Sequence, residues 1–366
     1  MLILSSIYPP FSRPSRDHYG HRNSIFLPNY LHMSKKSSTF ALKLRIMNTE
    51  HAIKLVKDTF QQELSSALRL RRVTAPLFVE SGHGLNDDLT GVEKPVSFFV
   101  PALNRHCEIV HSLAKWKRMK LWRMNAQPGY GIYTDMNAIR TFETPDDIHS
   151  LYVDQWDWCK VLKAFDRTSE YLHATVRDIY KVLRNVEYVV SERCPEIEAF
   201  LPKEIVFITS EELLQRYPDK SPKERENAIC AEYGAVFIEG IGAPLSNGEK
   251  HDDRAADYDD WNLNGDILVW YPILGKAIEL SSMGIRVDAE SMERQLAAAG
   301  HADWSKLEYH RLVLDGTLPL TIGGGIGQSR LCMILLHKRH IGEVQVSEWS
   351  QEELTRCAQE GITLLQ

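Results

Sequence analysis

Near the end of this 366-residue chain, Thr321-Ile322-Gly323-Gly324-Gly325-Ile326-Gly327-Gln328-Ser329-Arg330 runs into the apolar stretch 331–336. Glycines let the backbone approach a bound group closely. A helix opening behind them offers unpaired N–H groups and partial positive charge, with Arg330 at the same end. The pattern fits a nucleotide phosphate, and equally a tight turn before a helix. In Glu279-Leu280-Ser281-Ser282-Met283-Gly284-Ile285-Arg286, strand alternation puts Glu279 and Ser281 on one face and Ser282 on the other. A carboxylate beside a hydroxyl suits Mg²⁺ held between protein and phosphates, with Asp266, closing an Asn-Gly-Asp turn, as second carboxylate. Alternatively, Glu279 pairs structurally with Arg286.

Other segments carry charge in patterns that need explaining. Asp257-Tyr258-Asp259-Asp260 repels itself unless a metal or an amine relieves it, or unless it is a solvated loop. Asp87 and Asp88 sit in a glycine-containing loop, where a carboxylate can hold an amino group. Lys115 and Lys117 flank Trp116 on a predicted helix and do not share a face, so one of them at most enters a site. In Asp154-Gln155-Trp156-Asp157-Trp158, Gln155 and Asp157 share a strand face opposite Asp154. With the two indoles they could read a small zwitterion, or the indoles could be core. Arg140 is a candidate clamp for phosphate or carboxylate.

The elements that must position these groups follow from periodicity. Ile53, Val56, Phe60, Leu64 and Leu68 recur at helical spacing over 49–68, and a longer helical pattern runs over 157–192. A helix is also predicted over 111–124. Strands are predicted over 73–79, with Pro76 marking an edge or interface, and over 96–100, 108–111, 151–153, 205–208, 236–241, 267–271 and 277–280. Thr209-x-x-Glu212 and Ser221-x-x-Glu224 read as capping boxes opening two helices, the second with Pro222 in its first turn. The tail is expected to alternate helix and short strand. Strands follow one another without regular crossover helices, so the expected class is α+β, an antiparallel sheet flanked by helices.

Composition bounds the function. No apolar run approaches the roughly 18 residues that a membrane span needs, and six scattered cysteines lack the C-x-x-C spacing of a zinc site or a disulfide framework. Residues 1–46 hold seven Lys/Arg against Asp17, a balance of +6, so the remainder carries −12 of the chain's −6. An acidic body is a poor non-specific partner for nucleic acid. Segment 1–46 is expected to be a disordered leader, an overlong gene start or a mitochondrial targeting signal, with the catalytic domain over 47–366.

From residue 48 to the C-terminus, HSLAKWKR, YVDQWDW, DYDDW, NGDILVW, ELSSMGIRVD and IGGGIGQSR resemble the ammonia-dependent asparagine synthetases of the A type, the aspartate–ammonia ligases. These are relatives of the catalytic core of class II aspartyl- and asparaginyl-tRNA synthetases. The resemblance implies a class II synthetase-like antiparallel sheet flanked by helices, in a cytoplasmic homodimer with Pro76 in the dimer element. It implies L-aspartate, ATP and ammonia as substrates with Mg²⁺ as cofactor, and no nucleic-acid or membrane partner. Aspartate's β-carboxylate would attack the α-phosphorus of ATP, and ammonia would then displace AMP. Arg140, Arg330, Asp87, Asp157 and Asp259 are the implied catalytic residues. Asp87, Ser112, Lys117, Gln155, Asp157 and Arg286 would bind aspartate. Arg140, Asp266, Glu279, Ser282, Gly325, Gly327 and Arg330 would bind ATP, with Asp266 and Glu279 on the metal. One of Asp87, Asp157 or Asp259 would take the proton of ammonium.

Two departures stand out, the basic leader and a short link between Trp261 and Asn264 beside the implied metal site. The competing readings are an aspartyl- or asparaginyl-tRNA synthetase-like paralogue, for which 1–46 is too short to form an anticodon-reading barrel, and a non-catalytic relative that binds aspartate or adenylate. Glutamine-dependent synthesis needs an N-terminal nucleophilic cysteine, and the first here is Cys107.

Overall fold

The spacing of Val56, Phe60, Leu64 and Leu68 buries one stripe of a helix completely, and on that stripe Phe60 meets Trp156 with ring centroids 4.5 Å apart. The helix is α1, Ser34–Leu68, which starts well before the predicted residue 49. The computed structural model describes residues 34–86 and 93–366, with side chains from 49 onward; Asp87 and Asp88 lie outside the described residues. The chain divides into two units, 1–45 and 46–366.

Unit 46–366 is built on an eight-stranded sheet, with strands β1 (Leu70–Arg72), β5 (Gly131–Ile139), β6 (Tyr152–Val161), β7 (Val206–Thr209), β8 (Ala235–Glu239), β9 (Asp259–Tyr271), β10 (Lys276–Arg286) and β11 (Thr321–Gly327) in the order β1-β5-β6-β11-β10-β9-β8-β7. Its interior is antiparallel as expected, and only the edge pairs β1·β5 and β7·β8 are parallel. One face is buried under α1 and α3 (Ser169–Arg193), whose Val176, Ile179, Leu183 and Val186 are almost fully covered, and α8 (Gln328–Leu335) joins the same core. The other face is free to build a site.

The long helical prediction over 157–192 started too early. β6 continues to Val161, a 3₁₀ turn occupies Ala164–Asp166, and α3 begins only where the Thr168 hydroxyl caps the Tyr171 N–H at 3.2 Å. Leu162 belongs to the core and Phe165 is exposed, so the apparent periodicity there was fortuitous. Prediction also shortened β9 and β10, because Asn264-Gly265-Asp266 reads as a turn. It lies inside β9, where Gly265 pairs with Met283 and Glu239. A Cβ there would come within 2.3 Å of the Ile238 carbonyl, so this glycine serves packing and not a turn. The supposed short link from Trp261 to Asn264 is likewise continuous strand.

Both capping boxes open helices as predicted, α4 (Ser210–Arg216) and α5 (Pro222–Tyr233). Strand 73–79 survives only as β2, Phe78–Glu80, consistent with Pro76 lacking a donor. With β3 (Ser97–Val100) and β4 (Arg105–Ile109) it forms a separate sheet of order β2-β4-β3. Among the described residues the tail beyond β11 holds helix and no strand, ending in α9 (Gln351–Gln359). Nor is any described helix long and apolar enough to cross a membrane.

The acidic run is neither a solvated loop nor a site waiting for a cation. Asp257, Asp259 and Asp260 are all buried, and the chain supplies the opposite charges. Asp257 accepts from Lys115 Nζ at 2.7 Å and lies 3.0 Å from His310 Nε2, Asp259 pairs with Arg286, and Asp260 pairs with Arg167 at 2.5 Å. Burial opposes ionisation of Asp257, but Lys115 and His310 outweigh it and hold the carboxyl down at about 2, from an ordinary 3.8. A depressed carboxyl stabilises the fold above its unfolded pKa and loses that contribution as pH falls towards the folded value. Urea unfolding should therefore separate Lys115→Met from the wild type by on the order of 2 kcal/mol near neutrality, the gap narrowing from about pH 4 towards about pH 2. A gap that does not change with pH would contradict this role for the pair.

Candidate active site

On the open face, a cavity of about 410 Å³ is lined by pocket-side residues of β6, β10 and β11, by α2 (Ala114–Arg123) and by the loop before β9. Its first half forms around β11. Gly323, Gly324 and Gly325 are not a tight turn in front of a helix; they are in-register strand residues between β6 and β10. No positive φ demands glycine at these three positions, so space does. A Cβ on Gly325 would lie 2.3 Å from Gln155 Oε1 and 2.8 Å from Asp157 Oδ1, and one on Gly323 would lie 2.8 Å from Arg286 Nη2.

Into that space α2 sends Lys117, fully buried, whose Nζ donates to Asp157 Oδ2 at 2.7 Å and to the Gly324 carbonyl at 3.2 Å. Burial lowers the pKa of Lys117, against the pull of Asp157. Lys115 points instead to Asp257, so one lysine of the two enters the site, as helical geometry requires. Arg286 also lines the cavity and pairs with Asp259, not with Glu279. Burial raises the Asp259 carboxyl despite Arg286. Ser112 completes this half. Trp156 and Trp158 face the core and read no ligand, and Asp154, on the opposite face from Gln155 and Asp157, pairs with Lys57 at 3.0 Å.

The second half is cationic. Arg140 follows directly on β5 and lies 3.8 Å from Glu143, with its Nε buried and unbonded. Arg330, in the first turn of α8, donates to the Glu279 carbonyl at 3.2 Å and stands 3.9 Å from its carboxylate. The start of α8 does not serve as an open anion site, because the Ser329 N–H is already bonded to Asp154 Oδ1 at 3.0 Å. Gly327 is its N-cap and lines the cavity.

A β-bulge between Glu279 and Ser281 overturns the strict alternation expected of β10. Glu279 and Ser282 both line the cavity, whereas Ser281 is buried with its hydroxyl unbonded. Asp266 stands opposite Ser282 and pairs with Arg254, which forms the cavity wall at that point. Burial and the neighbouring Glu279 push the Asp266 carboxyl up to about 7, against Arg254. Burial also opposes the charge of Glu279, but Arg330 and Arg254 bring its pKa below the usual value. Asp266 Oδ1 is buried without a hydrogen-bond partner among the described residues. Two carboxylates, one with an orphaned oxygen and one flanking the cavity, form a donor set that fits Mg²⁺. A distant group, His340, Glu353 and Cys357, fits a metal badly. The Gly342 N–H bonds to His340 Nδ1, so Nε2 keeps its proton and donates to Glu353 at 2.8 Å.

Thus Ser112, Lys117, Arg140, Gln155, Asp157, Asp259, Glu279, Ser282, Arg286, Gly325, Gly327 and Arg330 all line one cavity, and Asp266 stands behind its wall. Sequence reasoning missed Arg254, Lys223, Tyr258 and Phe142, which line it too. The run Lys250-His251-Asp252-Asp253-Arg254 was the available signal for Arg254, though charge clustering alone does not separate site from surface.

Comparison with known proteins matches residues 47–361 to the family model of aspartate–ammonia ligase. An aspartate–ammonia ligase of Clostridium perfringens is 55% identical, with 88% of this chain and 96% of the relative covered. One from Fusobacterium nucleatum is 56% identical over 88% and 98%, and one from Bacteroides thetaiotaomicron 53% over 90% and 99%. Among solved structures, asparaginyl-tRNA synthetase of Entamoeba histolytica superposes with a TM-score of 0.59 at 14% identity, covering 82% of this chain and 67% of that one. The Pyrococcus horikoshii asparaginyl-tRNA synthetase complexed with asparaginyl-adenylate gives 0.59 at 15%, covering 81% and 68%. At such identity these two establish the class II synthetase fold alone.

Proposed function

This chain belongs to the aspartate–ammonia ligase family, and from that premise we propose that its cavity makes L-asparagine from L-aspartate and ammonia through an adenylate. A β-carboxylate oxygen of aspartate attacks the α-phosphorus of ATP, the bond to the bridging oxygen breaks, and pyrophosphate leaves. Ammonia then attacks the β-carbonyl of β-aspartyl-AMP, and AMP leaves with the C–O bonding pair. The observation that carries this reading is that Lys117, Gln155 and Asp157, suited to a zwitterion, line the same cavity as the guanidinium groups of Arg140 and Arg330.

Lys117 offers positive charge to a carboxylate of aspartate, while Asp157 and Gln155 face its ammonium across the bare backbone of Gly325. Asp87, outside the described residues, remains a proposed partner for that ammonium, with Ser112 and Arg286 as supporting contacts. Arg140 and Arg330 would stabilise the charge that grows on the α-phosphate, with Ser282 and Gly327 lining the same cavity. Asp266 and Glu279 would hold Mg²⁺, which when bound neutralises the phosphates and the leaving pyrophosphate. Ammonium has no lone pair, so a base must take its proton. Asp259 lines the cavity and, even against its pairing with Arg286, burial raises its affinity for a proton, which makes it our choice of base. The catalytic unit in this reading is 47–366, with 1–46 outside it. A second copy would cover the exposed apolar residues Leu77, Phe78, Phe98 and Phe99 of the smaller sheet, beside Pro76.

Purified protein given aspartate, ATP, Mg²⁺ and ammonium, without tRNA, should release AMP, pyrophosphate and asparagine; ADP, or no turnover without tRNA, would refute the reading. In the same assay Arg330→Ala should lose pyrophosphate release. Asp259→Asn should keep one turnover of it while losing about 100-fold in ammonium-dependent asparagine formation; equal loss of both steps would remove Asp259 as the base. Sedimentation velocity should report twice the 41.9 kDa of one chain; a single-chain mass would exclude the homodimer.

A further inference from the structure

Arg254 sits on the loop before β9 with its side chain largely buried at the cavity wall. One guanidinium nitrogen, Nη2, pairs with Asp266 Oδ2. Nη1 donates to the Asp253 carbonyl at 3.0 Å and lies 3.7 Å from Asp252, and Nε is buried without a hydrogen-bond partner among the described residues. Asp252, Asp266 and Glu279 all act on this one cation. An arginine cannot relieve a conflict by losing its proton. A divalent cation approaching Asp266 must therefore either tolerate a guanidinium on the same carboxylate or displace it.

We propose that Arg254 is a phosphate-binding residue that exchanges partners: its guanidinium and the divalent cation compete for Asp266, and the displaced guanidinium transfers to the phosphate chain of ATP. The inference rests on the reading of Asp266 and Glu279 as the metal carboxylates and deepens it. The geometry favours exchange over permanent pairing on three counts. Arg254 already forms the cavity wall, it is carried by a loop and not by a strand, and it has an unbonded Nε donor to offer. A planar fork suits phosphate oxygens better than a single carboxylate oxygen. The exchange also keeps a buried carboxylate neutralised on either side of the transfer.

The signature is a pair of effects of opposite sign, which a merely structural residue does not produce. Titration of the full-length protein with Mn²⁺ alone, read by the paramagnetic resonance of free Mn²⁺, should show Arg254→Met binding roughly tenfold tighter than the wild type, its internal competitor gone. Calorimetry with ATP and Mg²⁺ should show the same variant binding nucleotide at least about tenfold more weakly. Arg254→Lys keeps the charge but not the fork, so it should hold Mn²⁺ affinity near that of the wild type while still losing nucleotide affinity. Unchanged or weaker Mn²⁺ binding in Arg254→Met, unchanged nucleotide binding, or an Arg254→Lys that tightens Mn²⁺ as Met does, would each overturn the exchange. Asp266→Asn separates the two levels: if it leaves Mn²⁺ binding intact, the metal reading itself fails, and if it abolishes binding while Arg254→Met tightens nothing, only the exchange fails.

Discussion

Three consecutive positions in the middle of the large sheet carry no side chains, and the cavity exists because of that. Gly323 and Gly325 bring the backbone of β11 up against Arg286, Gln155 and Asp157, which a Cβ would push away, and a Cβ on Gly324 would meet core Met283 on the opposite face. Gln155, Asp157 and Arg286 can therefore point into a space that an ordinary strand would fill, and Lys117 can bond the Gly324 carbonyl from the helix above. The cost of three glycines in a strand is mainly entropic, and the deep core on the opposite face, from Phe60 through Trp156 to α3 and α8, is large enough to bear it. Rigidity thus lies on one face of the sheet and chemistry on the other.

Placing so many charges below the surface succeeds only because they are paired. Lys117 with Asp157, Lys115 with Asp257, Arg286 with Asp259 and Arg167 with Asp260 put four ion pairs among α2, β6, β9, β10 and the loops before α3 and β9. A buried charge left alone is far more costly than one with a partner, so each pair fixes the position of the other chain segment as well as its own. The acidic run at the start of β9 therefore frames the site, with Asp259 also opening onto the cavity. Of the two carboxylates with an oxygen unpartnered among the described residues, Asp257 is already held by Lys115 and His310, and Asp266, behind the cavity wall, is the one suited to a cation brought from outside.

The sequence made much of this site legible through local rules. Helical spacing admitted one of Lys115 and Lys117 and the resemblance picked Lys117, strand alternation separated Gln155 and Asp157 from Asp154, and the capping boxes marked α4 and α5. Where prediction failed, pairing between distant strands had overridden a local signal. Asn264-Gly265-Asp266 looks like a turn until β8 and β10 are seen on either side of it. The glycine cluster looks like a phosphate loop until β6 and β10 claim it, and the bulge that swaps Ser281 for Ser282 depends on the register of β9 against β10. Arg254 was invisible for a related reason: its partner Asp266 is near in sequence, but the wall they form exists only once β9 and β10 are paired.

Because Gly325, which the resemblance set against ATP, faces Gln155 and Asp157 and is held to build the aspartate half, the decisive measurement is the binding of each substrate to Gly325→Ala. The added methyl meets the ends of Gln155 and Asp157, flexible side chains that can give way without unfolding the strand. Calorimetry should show aspartate affinity falling by about tenfold or more, with ATP affinity within about twofold of the wild type. Undiminished aspartate binding, or equal loss of both ligands, would contradict the account.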